Sequence, residues 1–176
     1  NQLCLTTFVI AKPHWSRLLN NDQFSVSVII PARNEKGNIE NAVKRMPKMG
    51  KYTEIIFVEG HSQDDTLVEI QRVCDKYSND WNIHYVVQDG QGKADAVRKG
   101  FGLATGDILM ILDADLTVPP EDLPKFYNAI ATGKGEYVNG SRLVYPMEKE
   151  AMRFLNMVAN KFFAAIFSWI LGQSLK

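Results

Sequence analysis

Residues 108–115 read Ile108-Leu109-Met110-Ile111-Leu112-Asp113-Ala114-Asp115. An unbroken apolar run of this length suits a strand buried on both faces, and here it runs straight into two carboxylates one residue apart. Strands of that kind belong to parallel sheets, where ligands sit beyond the carboxyl ends. Asp113 and Asp115 are therefore expected at a ligand edge. Two oxygen donors so spaced suit a hard divalent cation, Mg²⁺ or Mn²⁺, which completes its shell with phosphates. Acids that merely cap the next turn are the alternative, and the continuation Leu116-Thr117-Val118-Pro119-Pro120-Glu121-Asp122 weighs against it.

Upstream the same rhythm recurs. Val26 to Ile30 is a β-branched run ended by Pro31, Ile39 to Met46 suits a helix, and Glu54 to Val58 is a second apolar run. Asp65 to Tyr77 has helical spacing at Leu67, Ile70, Val73 and Cys74, followed by a strand at Ile83 to Val87 and a helix from Lys93 to Leu103. After the 108–112 strand, a helix over Pro120 to Ile130 opens with an early proline, and Tyr137-Val138 forms a last strand. Strands alternating with helices predict an α/β domain, a mostly parallel central sheet with helices on both faces. Residues 1–23, with Phe8-Val9-Ile10 closed by Pro13, read as a leader or the remnant of a preceding domain, 24–150 as the core, and 151–176 as a separate segment.

Composition narrows the function classes. A chain of 176 residues suits one domain that buries about 70% of its unfolded surface. Twenty basic against twenty acidic side chains argue against a strongly basic nucleic-acid binder. Cys4 and Cys74 alone make no disulfide framework or zinc site, so a reducing, cytoplasmic compartment is the default. No stretch reaches 18 consecutive apolar residues, and none reads as a secretory signal.

Each remaining strand exit carries polar residues. Pro31-Ala32-Arg33-Asn34-Glu35 offers a strand-ending proline, an Asn that tolerates unusual backbone angles and an acid able to accept hydrogen bonds from a sugar or base. Glu59-Gly60-His61-Ser62-Gln63-Asp64-Asp65-Thr66 places an acid straight after a strand, with Ser62 or Asp64 as helix cap. Gln88-Asp89-Gly90-Gln91-Gly92-Lys93 sets one Lys at a helix start, a reasonable neighbour for a diphosphate. Asn139-Gly140-Ser141-Arg142 ends on a guanidinium that can clamp phosphate through its planar fork. Turn, cap and surface ion-pair readings compete at each of these exits taken singly. Gly60 to Asp64 is no nucleophile elbow, because Asp64 stands in place of the closing Gly, and Gly92-Lys93 lacks the rest of a P-loop.

Taken in order, these motifs resemble family 2 glycosyltransferases, and more narrowly the dolichol- or polyprenyl-phosphate mannosyl- and glucosyltransferase branch, over roughly residues 26–176. The resemblance implies the type A glycosyltransferase fold, a Rossmann-like nucleotide-binding sandwich, and an inverting, metal-dependent transfer from a nucleotide diphosphate-sugar to a polyprenyl phosphate. It implies a donor site of Pro31, Ala32, Asn34, Glu35, Glu59, Lys93, Asp113 and Ala114, with Asp113 and Asp115 holding Mg²⁺ or Mn²⁺. Asp113, Asp115 and Arg142 form the implied catalytic set, with Arg142 and Arg153 on the acceptor phosphate. The chain departs from the pattern at Gly60, where the family has a second acid, and at Thr117, where some relatives carry Gln or Ser. Transfer to a glycan hydroxyl, or a non-catalytic nucleotide-binding module of a larger protein, remain alternatives.

From Arg153 onward, Phe154, Val158, Phe162, Ile166 and Ile170 recur every four residues, interrupted by Asn156, Asn160 and Lys161. That stripe predicts an amphipathic helix at a membrane interface, on the cytoplasmic face, with a core-packing helix or a dimer contact as its alternative. The acceptor segment is expected to continue beyond residue 176.

Overall fold

This computed structural model describes residues 8–11 and 23–140 and, further on, 162 and 166. Asn1–Gly140 and Ser141–Lys176 are separate compact units. In the first, the order is β1 (Phe8–Ala11), β2 (Val26–Ala32), α1 (Ile39–Lys44), β3 (Thr53–Glu59), α2 (Thr66–Tyr77), β4 (Asn82–Val87), α3 (Lys93–Leu103) and β5 (Ile108–Ile111). A 3₁₀ turn at Pro120–Asp122 then leads into α4 (Leu123–Ala131) and β6 (Tyr137–Asn139). In the second unit, Phe162 and Ile166 are helical and Phe162 is exposed.

The six strands lie in the order β4-β3-β2-β5-β1-β6. β2 pairs in parallel with both β3 and β5, and β3 with β4, so their carboxyl ends share one edge. β1 runs antiparallel to β5 and β6, giving the mostly parallel sheet that the alternation predicts. The run Phe8-Val9-Ile10, expected ahead of the core, thus lies within the sheet, with Val9 opposite both Met110 and Val138. Its apolar, β-branched composition suits a strand, and it covers an edge of β5 that would otherwise be unpaired.

β2 continues through Pro31 rather than stopping before it. In a parallel ladder alternate residues address opposite neighbours. Ile29 O accepts from Leu112 N at 2.9 Å on the β5 side, while Ala32 O accepts from Gly60 N at 2.9 Å on the β3 side. Pro31 shares the side of Ile29, where the β2–β5 pairing has already ended at Ile29 opposite Ile111. Its missing N–H costs no ladder bond there.

The alternation of strand side chains sorts the helices onto two faces. Val26, Val28 and Ile30 of β2, with Ile55 and Phe57 of β3, join Ile39 and Val43 of α1, Ile70 and Val73 of α2, and Leu123 and Ile130 of α4. Ile29, Ile56 and Val58 point the other way and pack with Ala96 of α3. α3 sits close because residue 100 is glycine: a Cβ there would lie 2.5 Å from Ile29 Cγ2 and 3.2 Å from Val58 Cγ2. No helix among the described residues is long and apolar enough to cross a membrane.

Candidate functional site

The parallel strands deliver four loops to one edge. β2 ends in Ala32, which is buried, and the chain then exposes Arg33 and Asn34. β3 ends in Glu59, only 3% exposed, and β5 is followed by the buried Leu112, Asp113 and Ala114 before Asp115 emerges into solvent. Among the described residues, the non-glycine backbones in the left-handed region are Asn34 (φ 57°), His61 (φ 56°) and Leu116 (φ 52°). All three lie on strand exits, and a non-glycine residue held there costs about 1–2 kcal/mol. Strain gathered on one edge of a sheet marks that edge as functional.

Hydrogen bonds between loops hold these conformations. The Asn34 backbone N–H donates to Ser62 Oγ at 3.0 Å, and the Gln63 N–H donates to Asn34 Oδ1 at 2.8 Å. The Glu35 N–H donates to Thr66 Oγ1 at 2.9 Å, while Asn38 Nδ2 donates to Glu35 Oε2 at 2.8 Å. Thr66 in turn gives its N–H to Asp64 Oδ1 at 3.0 Å, which closes the turn ahead of α2, but the helix N-cap is Asp65, without a side-chain cap bond, rather than the expected Ser62 or Asp64. The β2 and β3 exits are one connected structure. Sequence spacing misses this clamp because its partners come from loops separated by a helix and a strand; the small polar Ser62 and Thr66 beside an Asn were the only signal.

Glu59 is occupied by its own loop. Its Oε1 accepts the Ser62 N–H at 2.6 Å and its Oε2 the His61 N–H at 3.1 Å. Burial alone would raise its carboxyl, yet the hydrogen bonds from Ser62 and His61 outweigh it and hold Glu59 below the usual range. A charged, buried acid therefore shapes the turn in which His61 takes its left-handed conformation. Gly60 packs tightly too, since a Cβ there would meet Arg33 Cβ at 3.2 Å and Ala32 O at 3.3 Å.

At the β5 exit, Lys93 Nζ forms an ion pair with Asp113 Oδ1. Lys93 is the first residue of α3 and its side chain is half-exposed, whereas that of Asp113 is 9% exposed. The partly desolvated carboxylate is thus neutralised by a flexible ammonium. Asp115 Oδ1 accepts the Thr117 N–H at 3.0 Å, and the Leu116 N–H closes the turn on Asp113 O at 3.0 Å. Thr117 thus meets Asp115 through its backbone. Glu121 of the Pro-Pro-Glu-Asp stretch holds Arg45, beyond the end of α1, through Nε at 2.7 Å and Nη2 at 2.8 Å.

Asp113 and Asp115 present an oxygen-only donor set that fits a hard divalent cation. Among the described residues no group of three or more His, Cys, Asp or Glu side chains comes together to hold a metal. A cation here would take its remaining ligands from a bound phosphate and water, as Mg²⁺ usually does. Lys93 reaches the same carboxylate from the start of α3. Arg142 and Arg153 lie outside the described residues, as does most of the proposed amphipathic helix.

A family model described as glycosyl transferase family 2 matches residues 27–172. The chain is 38% identical over 110 residues to the dolichol-phosphate mannosyltransferase of Saccharomyces cerevisiae, an alignment covering 59% of this chain and 40% of that protein. It is 34% identical over 139 residues to the dolichol-phosphate mannosyltransferase of Pyrococcus furiosus, covering 77% and 38% respectively. Among solved structures it resembles a mannosyltransferase from Pyrobaculum calidifontis in complex with GDP-Man and Mn²⁺, at a TM-score of 0.52 and 27% identity over 64% of this chain and 34% of that one. The chain spans about 40% of the length of these curated relatives.

Proposed function

The chain belongs to glycosyl transferase family 2 and has its type A fold, and from that premise we propose that it carries the donor-binding part of an enzyme that glycosylates a polyprenyl phosphate. The donor is a nucleotide diphosphate-sugar lying across the β2, β3 and β5 exits. The observation that carries this reading is the convergence of Lys93 and Asp113, with Asp115 two residues on, at a sheet edge whose loops are pre-shaped by the Asn34–Ser62 clamp. Relatives named for dolichol phosphate support the choice of acceptor.

Pro31, Ala32, Asn34 and Glu35 line the nucleoside side, with Glu59 acting through the loop it organises. Lys93, Asp113 and Ala114 face the diphosphate-sugar. Asp113 and Asp115 hold Mg²⁺ or Mn²⁺, which when bound supplies Lewis-acid neutralisation of the leaving diphosphate. Lys93 adds a positive charge at the same leaving group. Arg142 and Arg153 orient the acceptor phosphate. A phosphate oxygen of the lipid attacks the anomeric carbon as the bond from that carbon to the donor's diphosphate oxygen breaks, with inversion. The nucleophile is already anionic, so no strong general base is needed. Residues 151–176 lie along the cytoplasmic membrane face, where Phe162, exposed and helical, meets lipid.

The test is product analysis with labelled UDP-, GDP- and dTDP-sugars, offered to the intact parent protein with polyprenyl phosphate and saccharide acceptors side by side. Labelled glycolipid that disappears with Asp115→Ala is the expected result. Exclusive saccharide elongation would overturn the acceptor, and absence of transfer despite nucleotide binding would favour a non-catalytic module.

A further inference from the structure

We propose that Arg33 selects the nucleobase of the donor, through a guanidinium fork that favours guanine over uracil or thymine. This rests on the donor-site reading above and deepens it.

Gly60 takes the place of a second acid in the family pattern. A Cβ there would meet Arg33 Cβ at 3.2 Å, Ala32 O at 3.3 Å and Arg33 Cγ at 3.6 Å. The stem of Arg33 therefore lies over the glycine and fills the space that an acidic side chain would need. The acceptors nearby are engaged: Glu59 takes the N–H groups of His61 and Ser62, and Ala32 O takes the Gly60 N–H at 2.9 Å. What this part of the edge offers a ligand is a donor. Arg33 is exposed, and among the described residues it makes no hydrogen bond or ion pair.

The sheet order places that donor at the base end of the site. β2 lies between β3 and β5, and the Arg33 stem leans from β2 onto the β3 exit, whereas Asp113 and Asp115 follow β5 on the other side. A nucleotide whose diphosphate lies toward the β5 carboxylates turns its base toward β3. A guanidinium presents parallel N–H groups that match two adjacent acceptors. Guanine offers such a pair, its carbonyl oxygen and the neighbouring imidazole nitrogen, and arginine on that pair is the commonest specific contact in nucleic-acid recognition. Uracil and thymine carry no second acceptor adjacent to a carbonyl oxygen. Arg33 thus makes two bonds to guanine and one to either pyrimidine.

The experiment is calorimetric titration of GDP, 7-deaza-GDP, UDP and dTDP into the intact parent protein at saturating Mn²⁺, for wild type, Arg33→Ala and Arg33→Lys. Wild type should bind GDP at least about fivefold more tightly than UDP, dTDP or 7-deaza-GDP, which lacks the imidazole nitrogen. Arg33→Ala should bring all four to within about twofold of one another at an unchanged melting temperature. Arg33→Lys keeps the charge without the fork and should lose most of the preference. A wild-type preference for UDP or dTDP, or a GDP preference that survives Arg33→Ala, would overturn the assignment while the donor site stands. An equal loss for all four ligands in Arg33→Ala would overturn it too, because Arg33 would then be a diphosphate contact. If wild type binds none of the four, the donor-site reading itself fails.

Discussion

Asn34 and Ser62 come from different strand exits, and the backbone N–H of Asn34 donates to Ser62 Oγ at 3.0 Å while Asn34 itself sits at φ 57°. One hydrogen bond thus helps fix a backbone conformation that most side chains avoid. The return bond from Gln63 N–H to Asn34 Oδ1 makes the link reciprocal.

Asn34→Ala removes the side-chain acceptor and leaves a left-handed alanine, so stability should fall by about 1–2 kcal/mol. Asn34→Gly removes the same acceptor without the backbone strain and should lose less. Chemical denaturation of both variants checks this, and equal losses would show that the backbone angle carries no cost.

Glu54 is buried at the opposite end of β3, at 1% exposure. Its Oε2 accepts from Ser27 Oγ and from Thr105 N–H at 3.0 Å, and its Oε1 from Thr105 Oγ1 and His84 Nε2, each at 3.0 Å. Burial alone would raise its carboxyl, but these donors prevail and hold it below the ordinary value of 4.5. A depressed carboxyl contributes its full stability above the unfolded value, near pH 4.5, and loses it as pH falls through the lower folded value. Glu54→Gln replaces a charged acceptor oxygen by an amide NH₂ and loses the charge-assisted hydrogen bonds, costing about 1–3 kcal/mol at pH 7. Denaturation midpoints from pH 7 to 3 should show the wild-type advantage over Glu54→Gln shrinking below about pH 4.5; a constant difference would refute the assignment.

Gly100→Ala should destabilise the domain despite the better helix former. The new Cβ would press on Ile29 Cγ2 at 2.5 Å, inside the smaller core cluster. Overpacking costs about 1–3 kcal/mol and exceeds the helical gain of up to about 1 kcal/mol. A melting temperature equal to or above that of wild type would mean that α3 lifts from the sheet without penalty.

Cys74 should be chemically silent in the native state. Burial, helped by the nearby charge of Asp75, pushes its thiol up to about 11, and reactivity needs thiolate and access. In a Cys4→Ser background, a thiol reagent at pH 8 should label Cys74 only after denaturant is added. Rapid labelling of the folded chain would contradict its burial on α2.

β2, β3 and β5 were legible because each is an almost continuous apolar run, the mark of burial on both faces, and their ends pointed to the ligand edge without further information. The place of β1 was not legible, since its partners β5 and β6 lie far along the chain and antiparallel addition leaves no local spacing signal. Pro31 suggested a strand end because a proline lacks an N–H, a loss that ceases to matter where β5 has run out. Glu54 looked like the first residue of a strand; only the folded sheet brings Ser27, His84 and Thr105 around it. The pairing of Lys93 with Asp113 likewise depends on two exits that meet only in three dimensions. Roles for Arg142 and Arg153 rest on the family resemblance.

The most direct measurement of the central claim is binding of UDP-, GDP- and dTDP-sugars to the chain by calorimetry, with and without Mn²⁺, for wild type and Asp115→Asn. The account predicts that at least one donor binds wild type in a Mn²⁺-dependent manner and that Asp115→Asn weakens this binding by about tenfold or more while leaving the melting temperature unchanged. Absence of Mn²⁺-dependent binding for every donor, or equal affinity in Asp115→Asn, would contradict it.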